Sequence, residues 1–184
     1  MPANRAQLAR DDKVEQLVAT AQHLFVERGY EGTTMAAIAK QAGVASNVLY
    51  WYFDSKDHVF VVAMEQLVDA VIDQALAAAT RRDGTRDIEA GLVALVDHLM
   101  FGRTLIAAVH ERAPHAPIVA EFHDRVHARY ASLLDDELRA RAMPPAERRL
   151  VIEALSTGVE GLIVHGATKP EARRMIHFLV TKLL

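Results

Sequence analysis

Residues 32–56 read Gly-Thr-Thr-Met-Ala-Ala-Ile-Ala-Lys-Gln-Ala-Gly-Val-Ala-Ser-Asn-Val-Leu-Tyr-Trp-Tyr-Phe-Asp-Ser-Lys, and this stretch decides the fold. The pattern predicts two short helices joined by a tight turn. Thr33 or Thr34 is suited to begin the first helix, because a side-chain oxygen accepts hydrogen bonds from the unpaired N–H groups there. Gly43 lies where a helix end often needs a positive φ, which glycine adopts without steric cost. Together these features predict a helix-turn-helix, whose second helix enters the major groove of DNA.

The second helix, predicted over about residues 45–52, separates an apolar side from a polar and aromatic side. Val48 and Leu49 are expected to be buried. The residues expected to face a partner are Ser46, Asn47, Tyr50 and Tyr52. Trp51 is predicted to pack beneath the motif, because its large ring suits the core of a small domain. The alternative is a direct contact with DNA.

The chain resembles the DNA-binding segment of the tetracycline-repressor (TetR) family in three runs. These are Thr34-Met-Ala-Ala-Ile-Ala-Lys-Gln-Ala-Gly-Val44, Leu49-Tyr-Trp-Tyr-Phe53 and Ser55-Lys56. Phe25 and the ending Arg28-Gly29-Tyr30 of the preceding helix fit the same pattern, so the resemblance covers roughly residues 12 to 62. It implies phosphate contacts, which position a protein on DNA without reading its sequence. The residues implied are Thr34, Tyr50, Tyr52 and Lys56.

Base-edge contacts are assigned from side-chain chemistry, because the chain departs from the family there. Many members carry a small residue and Thr just before Leu-Tyr, where this chain has Asn47 and Val48. Ser46 and Asn47 are predicted to read bases, since Asn pairs with adenine through two hydrogen bonds that discriminate by about 1–3 kcal/mol. Val48 has two open roles, contact with a thymine methyl group or packing in the core.

Composition sets the class of protein. The chain has 184 residues, of which 51% are hydrophobic, and this predicts a globular chain of one large or two small domains. It contains no Cys, which excludes disulfides and thiolate sites. The N-terminal segment is polar and resembles no signal peptide, and no apolar run reaches the roughly 18 residues of a membrane span. We therefore expect a soluble, cytoplasmic protein.

The formal net charge of −3 is low for a DNA-binding protein. Charge placement offsets this, because Lys40 is the only charged residue from Gly32 to Phe53. Residues 1–10 are expected to form a flexible arm, in which Arg5 and Arg10 contact the minor groove or phosphates, or else remain in solvent. With few ionic contacts, DNA binding should depend moderately on salt.

Helical periodicity continues along the rest of the chain. Apolar residues recur at helical spacing from Asp12 onward, with breaks at Gly29, Arg81–Gly84, Pro114 and Pro144–Pro145. No stretch shows strand-like alternation. The prediction is an all-α fold of about nine helices. Residues 1–56 form a three-helix DNA-binding domain, and residues 57–184 form an effector-binding and dimerisation domain.

A small-molecule effector is implied by the resemblance, and a mostly apolar pocket with a few polar groups is the usual site for one. The predicted lining favours a hydrophobic or aromatic effector. The residues are Leu95, His98, Leu99, Phe101, Phe122, His123, His127 and Tyr130. His123 and His127 lie four apart on one helix, but no third ligand is assignable, so no metal site and no cofactor are predicted.

Dimerisation is predicted from the last two helices, whose apolar surfaces are broad enough to form a four-helix interface with a second copy. The alternative is that these surfaces only close the core of the monomer. The residues assigned to the interface are Leu155, Val159, Leu162, Ile163, Met175, Phe178 and Leu179. Two recognition helices one DNA turn apart, about 34–36 Å, would then read a pseudo-palindromic operator.

Enzymatic function is not predicted. His110-Glu-Arg-Ala-Pro114 begins like a zinc-protease motif but has Pro where the second His belongs. The chain has no Gly-x-Ser-x-Gly, phosphate-binding loop or Cys nucleophile. The favoured prediction is a homodimeric repressor that an effector releases from its operator. The alternative is an all-α binding or scaffold protein without DNA recognition.

Overall fold

The computed structural model describes the backbone of residues 2–184 and the side chains from Arg10 onward. Within this range the chain forms nine α-helices and one short 3-10 helix, Ala113–His115. The α-helices are α1 (Pro2–Arg28), α2 (Met35–Gln41), α3 (Ser46–Tyr52), α4 (Lys56–Ala79), α5 (Ile88–Phe101), α6 (Arg103–Arg112), α7 (Pro117–Ala140), α8 (Pro145–Val164) and α9 (Lys169–Leu183). The predicted all-α fold is therefore confirmed.

Helix α1 begins ten residues earlier than the start predicted at Asp12, since it runs from Pro2. The expectation of a flexible arm over residues 1–10 was wrong for residues 2–10. Proline is favoured in the first turn of a helix, because its missing N–H would have no intrahelical partner there. The side chain of Arg5 lies outside the described residues, whereas the side chain of Arg10 is described.

Three helix starts follow the local signals in the sequence. Thr34 caps α2, and its hydroxyl oxygen accepts a hydrogen bond from the backbone N–H of Ala37 at 3.1 Å. The hydroxyl oxygen of Ser55 accepts from the N–H of His58 at 3.0 Å, at the start of α4. Thr168 and Glu171 form a capping box at the start of α9. Each such cap stabilises its helix by about 1 kcal/mol.

The chain divides into two compact units. The first comprises Met1–Leu67 and Ala108–Phe122, and the second comprises Val68–Ala107 and His123–Leu184. These units differ from the predicted domains, because the first extends beyond residue 56 and includes a later segment of the chain. The assignment of separate functions to residues 1–56 and 57–184 stays a prediction.

In the described part of the chain, no single helix is long and apolar enough to span a membrane, although the pair Ile88–Phe101 and Arg103–His115 meets that requirement jointly.

An aromatic cluster lies at the centre of the first unit. The ring centroids of Phe25 and Phe60 are 5.0 Å apart in an edge-to-face arrangement, and those of Tyr30 and Phe60 are 4.9 Å apart. Such pairs contribute about 0.5–1.5 kcal/mol each beyond the area that they bury. The cluster joins the end of α1 to the first turns of α4, and α2 of the helix-turn-helix packs on α1.

The core of the second unit lies among α5, α8 and α9, with one residue from α7. Its buried residues are Ile88, Leu92, Leu95, Val96, Leu138, Val151, Leu155, Ile163, Ala172 and Ile176. At its surface, the Arg173 guanidinium lies 2.7 Å from the Asp97 carboxylate and links α9 to α5. Exposed ion pairs of this kind contribute about 0–1 kcal/mol, so apolar burial dominates the stability of this unit.

Gly91 permits a close approach of α5 to α4. A Cβ atom added at Gly91 would lie 2.9 Å from the Cβ atom of Ala79, whereas one added at Gly102, at the end of α5, would have no atom closer than 3.9 Å. We predict that Gly91→Ala lowers the free energy of unfolding by about 1–3 kcal/mol relative to Gly102→Ala, because α5 must shift to relieve the overlap. Urea denaturation measures the difference. Equal stability of the two variants would contradict the close approach.

Candidate nucleic-acid interface

The turn into the helix-turn-helix is fixed by Thr33 and Gly43. The Thr33 side chain is fully buried, and its hydroxyl donates toward the carbonyl oxygens of Gly29 at 2.8 Å and Leu24 at 3.1 Å. This holds the start of α2 against the end of α1. Gly43 has a φ of +67° and ends α2 as predicted, because a residue with a Cβ atom would be strained there. Thr33 and Gly43 thus fix where α2 begins and where it ends before α3.

Helix α3 has one buried residue and presents most of its surface outward. Leu49 is fully buried, and Ser46, Asn47 and Tyr50 are exposed. Val48 and Tyr52 are half-buried, so the predicted burial of Val48 is only partial. The polar side chains predicted to contact bases and phosphates therefore share an accessible surface of α3.

Two further predicted phosphate contacts flank this helix. Thr34 is exposed, and because its oxygen accepts the capping hydrogen bond, its own O–H remains available as a donor. Lys56 is half-buried, and its ammonium group donates to the backbone oxygen of Tyr30 at 3.1 Å. The same Nζ atom lies 3.8 Å from the centroid of the Tyr30 ring. To contact a phosphate, Lys56 must share or exchange these interactions.

Trp51 is the main residue that the sequence interpretation missed. It was predicted to pack beneath the motif, but it is 65% exposed, so that prediction was wrong. Its ring meets the ring of Tyr52 edge to face, with centroids 4.7 Å apart, and the Arg10 guanidinium lies 4.9 Å from its centroid. A guanidinium over an exposed indole gains about 0.5–1 kcal/mol. The aromatic character of Trp51 indicated burial, and no local signal distinguished a ring on the outer side of so short a helix.

The residues predicted to bind an effector divide between the two units. Phe122 is buried in the first unit. In the second unit, Leu95 is part of the core, and Leu99 and Tyr130 pack against that core. Phe101, by contrast, is 85% exposed and does not line an enclosed cavity of the second unit.

The polar members of this set differ in their surroundings. The Nδ1 atom of His98 lies 2.7 Å from the backbone oxygen of Ala94. His123 is half-buried, His127 is exposed, and their ring centroids are 4.3 Å apart on successive turns of α7. The hydroxyl of Tyr130 is buried and has no hydrogen-bond partner among the described residues. Burial raises the pKa of Tyr130 to about 12, so its phenol is a neutral donor at physiological pH.

The residues predicted to form a dimer interface also separate by burial. Leu155 and Ile163 are buried in the core of the second unit, as the alternative interpretation expected. Met175 and Phe178 are exposed on α9 and line a shallow surface depression together with Glu171 and Arg174. The remaining three, Val159, Leu162 and Leu179, are half-buried. The apolar surface that remains for a partner is therefore centred on α9.

Trp51 is the only tryptophan, so intrinsic tryptophan fluorescence reports on α3 alone. We predict that acrylamide quenches this fluorescence nearly as efficiently as it quenches free tryptophan amide, because the ring is exposed. Arg10→Ala should increase quenching further by uncovering one face of the indole. Quenching as weak as that of a core tryptophan would instead restore the sequence-based prediction of packing.

Comparison with known proteins places this geometry in a family. A profile described as bacterial regulatory proteins, tetR family, matches residues 17–63, from α1 to the first turns of α4. The transcriptional activator FasR of Mycolicibacterium smegmatis is 35% identical over 95 residues, which are 50% of this chain and 42% of that protein. The regulator BetI 2 of Chromohalobacter salexigens is 28% identical over 185 residues, covering 92% of this chain and 87% of the relative.

Solved structures agree with the fold over nearly the whole chain. A transcriptional regulator from Rhodococcus sp. Rha1 covers 93% of this chain and 95% of its own length, with a TM-score of 0.74 and 23% identity. A regulator from Saccharomonospora viridis, solved in complex with choline, has a TM-score of 0.71 and 17% identity. The profile match identifies the helix-turn-helix of residues 17–63 as one of the tetR family, and the relatives that are similar along its length make the chain a helix-turn-helix transcriptional regulator.

Proposed function

We propose that the chain is a homodimeric repressor that binds a pseudo-palindromic operator and leaves it when a hydrophobic or aromatic effector binds. The observation that carries the proposal is the exposed polar and aromatic surface of α3, a helix whose only buried side chain is that of Leu49. As a regulator of DNA it would act in the cytoplasm. It would need no cofactor and catalyse no reaction.

Contacts with DNA divide into two kinds. Ser46 and Asn47 lie near the start of α3, where side chains of a recognition helix reach base edges. Tyr50, with its hydroxyl at the exposed surface, is suited to donate to a phosphate. The exposure of these side chains allows them to contact DNA. The amide group of Asn47 suits a base edge, and the hydroxyl group of Tyr50 suits a phosphate.

Variants of the recognition helix test DNA binding. With the DNA that flanks the gene of this protein as the probe, we predict that Tyr50→Phe weakens binding to all bound sequences alike. Asn47→Ala should relax the preference at one base pair by about 1–3 kcal/mol, because the two hydrogen bonds to adenine are lost. Electrophoretic mobility shifts on the fragment and on single-base variants measure both effects. Tyr130→Phe makes the same chemical change outside α3 and should bind DNA as the wild type does.

If neither recognition-helix variant alters affinity or preference, DNA is not read by α3. If the wild type binds no duplex at all, the alternative of an all-α binding or scaffold protein is favoured. If binding of the protein to its operator increased transcription, the protein would be an activator and not the proposed repressor.

The proposed effector site is in the second unit around Tyr130. A buried hydroxyl without a partner costs about 1–3 kcal/mol, and a ligand with a hydrogen-bond acceptor would recover that free energy. Apolar neighbours in the same core, among them Leu95 and Leu99, favour a ligand that is mostly apolar around this acceptor. The site therefore suits a hydrophobic or aromatic molecule with one polar group.

The Tyr130 hydroxyl can be tested without knowing the effector. We predict that Tyr130→Phe raises the free energy of unfolding of the ligand-free protein by about 1–3 kcal/mol, because the unpaired buried hydroxyl is removed. Urea denaturation measures the change. Tyr50→Phe is the matched control and should be neutral, since its hydroxyl lies in an exposed side chain. A destabilised Tyr130→Phe variant would show that the hydroxyl has a partner in the protein and is not reserved for a ligand.

Dimerisation is proposed through α8 and α9. Phe178 is 56% exposed, and Leu150 and Val164 are exposed on α8. Large apolar side chains that are exposed on packed helices are candidates for an interaction surface. A second copy supplies the same surface, as a two-fold interface requires.

A further inference from the structure

Asp57 is the centre of a polar cluster in the first unit that has no direct place in the proposed DNA contacts. It is the second residue of α4, and its carboxylate accepts a hydrogen bond from the Tyr30 hydroxyl at 2.5 Å. It also accepts two from Arg112, the last residue of α6, with Nε to Oδ1 at 3.1 Å and Nη2 to Oδ2 at 2.7 Å. This two-pronged geometry is the strongest form of a carboxylate–guanidinium pair.

The charges of this cluster are fixed at neutral pH. Burial by itself raises the pKa of Asp57, but the hydrogen bonds from Arg112 and Tyr30 outweigh it and hold the pKa below its usual value. Burial and the hydrogen bond to Asp57 raise the pKa of Tyr30 above its ordinary value, so Tyr30 remains a donor. The Asp57 side chain is only 17% exposed, so its charge is balanced mainly by protein groups. Arg112 thus pairs directly with this anion, and the positive charge of the neighbouring Lys56 also favours the ionised form.

A continuous set of contacts leads from this cluster to the helix-turn-helix. The backbone oxygen of Tyr30 accepts both the Lys56 ammonium at 3.1 Å and the Thr33 N–H at 3.2 Å. Thr33 is fully buried, and the next residue caps α2. The position of Tyr30, which Asp57 holds at its hydroxyl, therefore sets the turn from which α2 begins.

We propose that Arg112 is a positioning residue for DNA binding, acting through Asp57 and Tyr30 to hold the start of α2. The inference rests on the proposed function as a DNA-binding regulator. Arg112 lies outside the predicted DNA-binding domain of residues 1–56, yet it is part of the first compact unit. Without its guanidinium, the Asp57 carboxylate keeps an uncompensated charge in a half-buried place. The carboxylate then moves toward solvent and draws Tyr30 with it.

This mechanism predicts a specific order of affinities. Removing one partner of a partly buried ionic pair is more harmful than removing both, because an uncompensated charge is left behind. Arg112→Gln should therefore raise the Kd for DNA by on the order of tenfold. In the double variant Asp57→Asn, Arg112→Gln, most of that loss should be recovered, because the amide oxygen still accepts from Tyr30 and no charge is left unpaired.

The experiment measures DNA binding of the full chain by fluorescence anisotropy over a series of salt concentrations, with the flanking-DNA duplex as the probe. A positioning residue leaves the slope of log K against log salt unchanged, whereas a residue that contacts a phosphate lowers it by about 1. Arg103→Gln, at the other end of α6, is the matched control and should bind as the wild type does. Arg112→Lys keeps the charge without the two-pronged contact, and should give a smaller, severalfold loss at unchanged slope.

Several outcomes would overturn the inference. One is that Arg112→Gln and Arg112→Lys, shown to be folded by circular dichroism, bind as tightly as the wild type. Another is a loss of affinity with a reduced slope and no recovery in the double variant, which would make Arg112 a direct phosphate contact. Both results leave the proposed function intact. Absence of DNA binding by the wild type would overturn the proposed function itself and the inference with it.

Discussion

The burial of Leu49 is the constraint on which the DNA-binding surface depends. Helix α3 has seven residues, too few to be stable by itself, and Leu49 is its one buried side chain. The direction of its exposed surface is therefore set by its packing on α2, which in turn packs on α1 and is held there by the turn at Thr33. A short helix held in this way presents nearly all its side chains to a partner. Its position then depends on the rigidity of the helices that pack against it.

Local signals in the sequence were sufficient to predict most of that base. Thr34, Gly43 and Ser55 each act within a few residues of their own position, through a capping hydrogen bond or a positive φ. Helical periodicity then predicted the all-α fold, because apolar residues at this spacing are buried along one side of a helix. The exposure of Ser46 and Asn47 followed from the same periodicity, applied to a helix of two turns.

Features that depend on contacts distant in sequence were not predicted. Trp51 has the large aromatic side chain typical of a core residue, and only the folded structure shows that its ring is exposed with the Arg10 guanidinium over it. Arg112 meets Asp57 across a long stretch of chain, and nothing near either residue indicates the pair. The early start of α1 could have been predicted from Pro2, because proline is favoured in the first turn of a helix. The polar composition of the segment instead led to the prediction of a flexible arm. Sequence patterns thus predict elements and their ends, whereas pairs of side chains require the fold.

The most direct test of the central claim is the distance between the two recognition helices in a complex with DNA. Because the chain contains no Cys, a spin label attached to Ala45→Cys, at the start of α3, is unique in each protomer. Electron–electron double resonance on the DNA complex should give a single separation near one helical turn of the duplex, about 34–36 Å before correction for the label tethers. A lack of dipolar coupling, or a separation that does not fit successive major grooves, would contradict a dimer that reads DNA through α3.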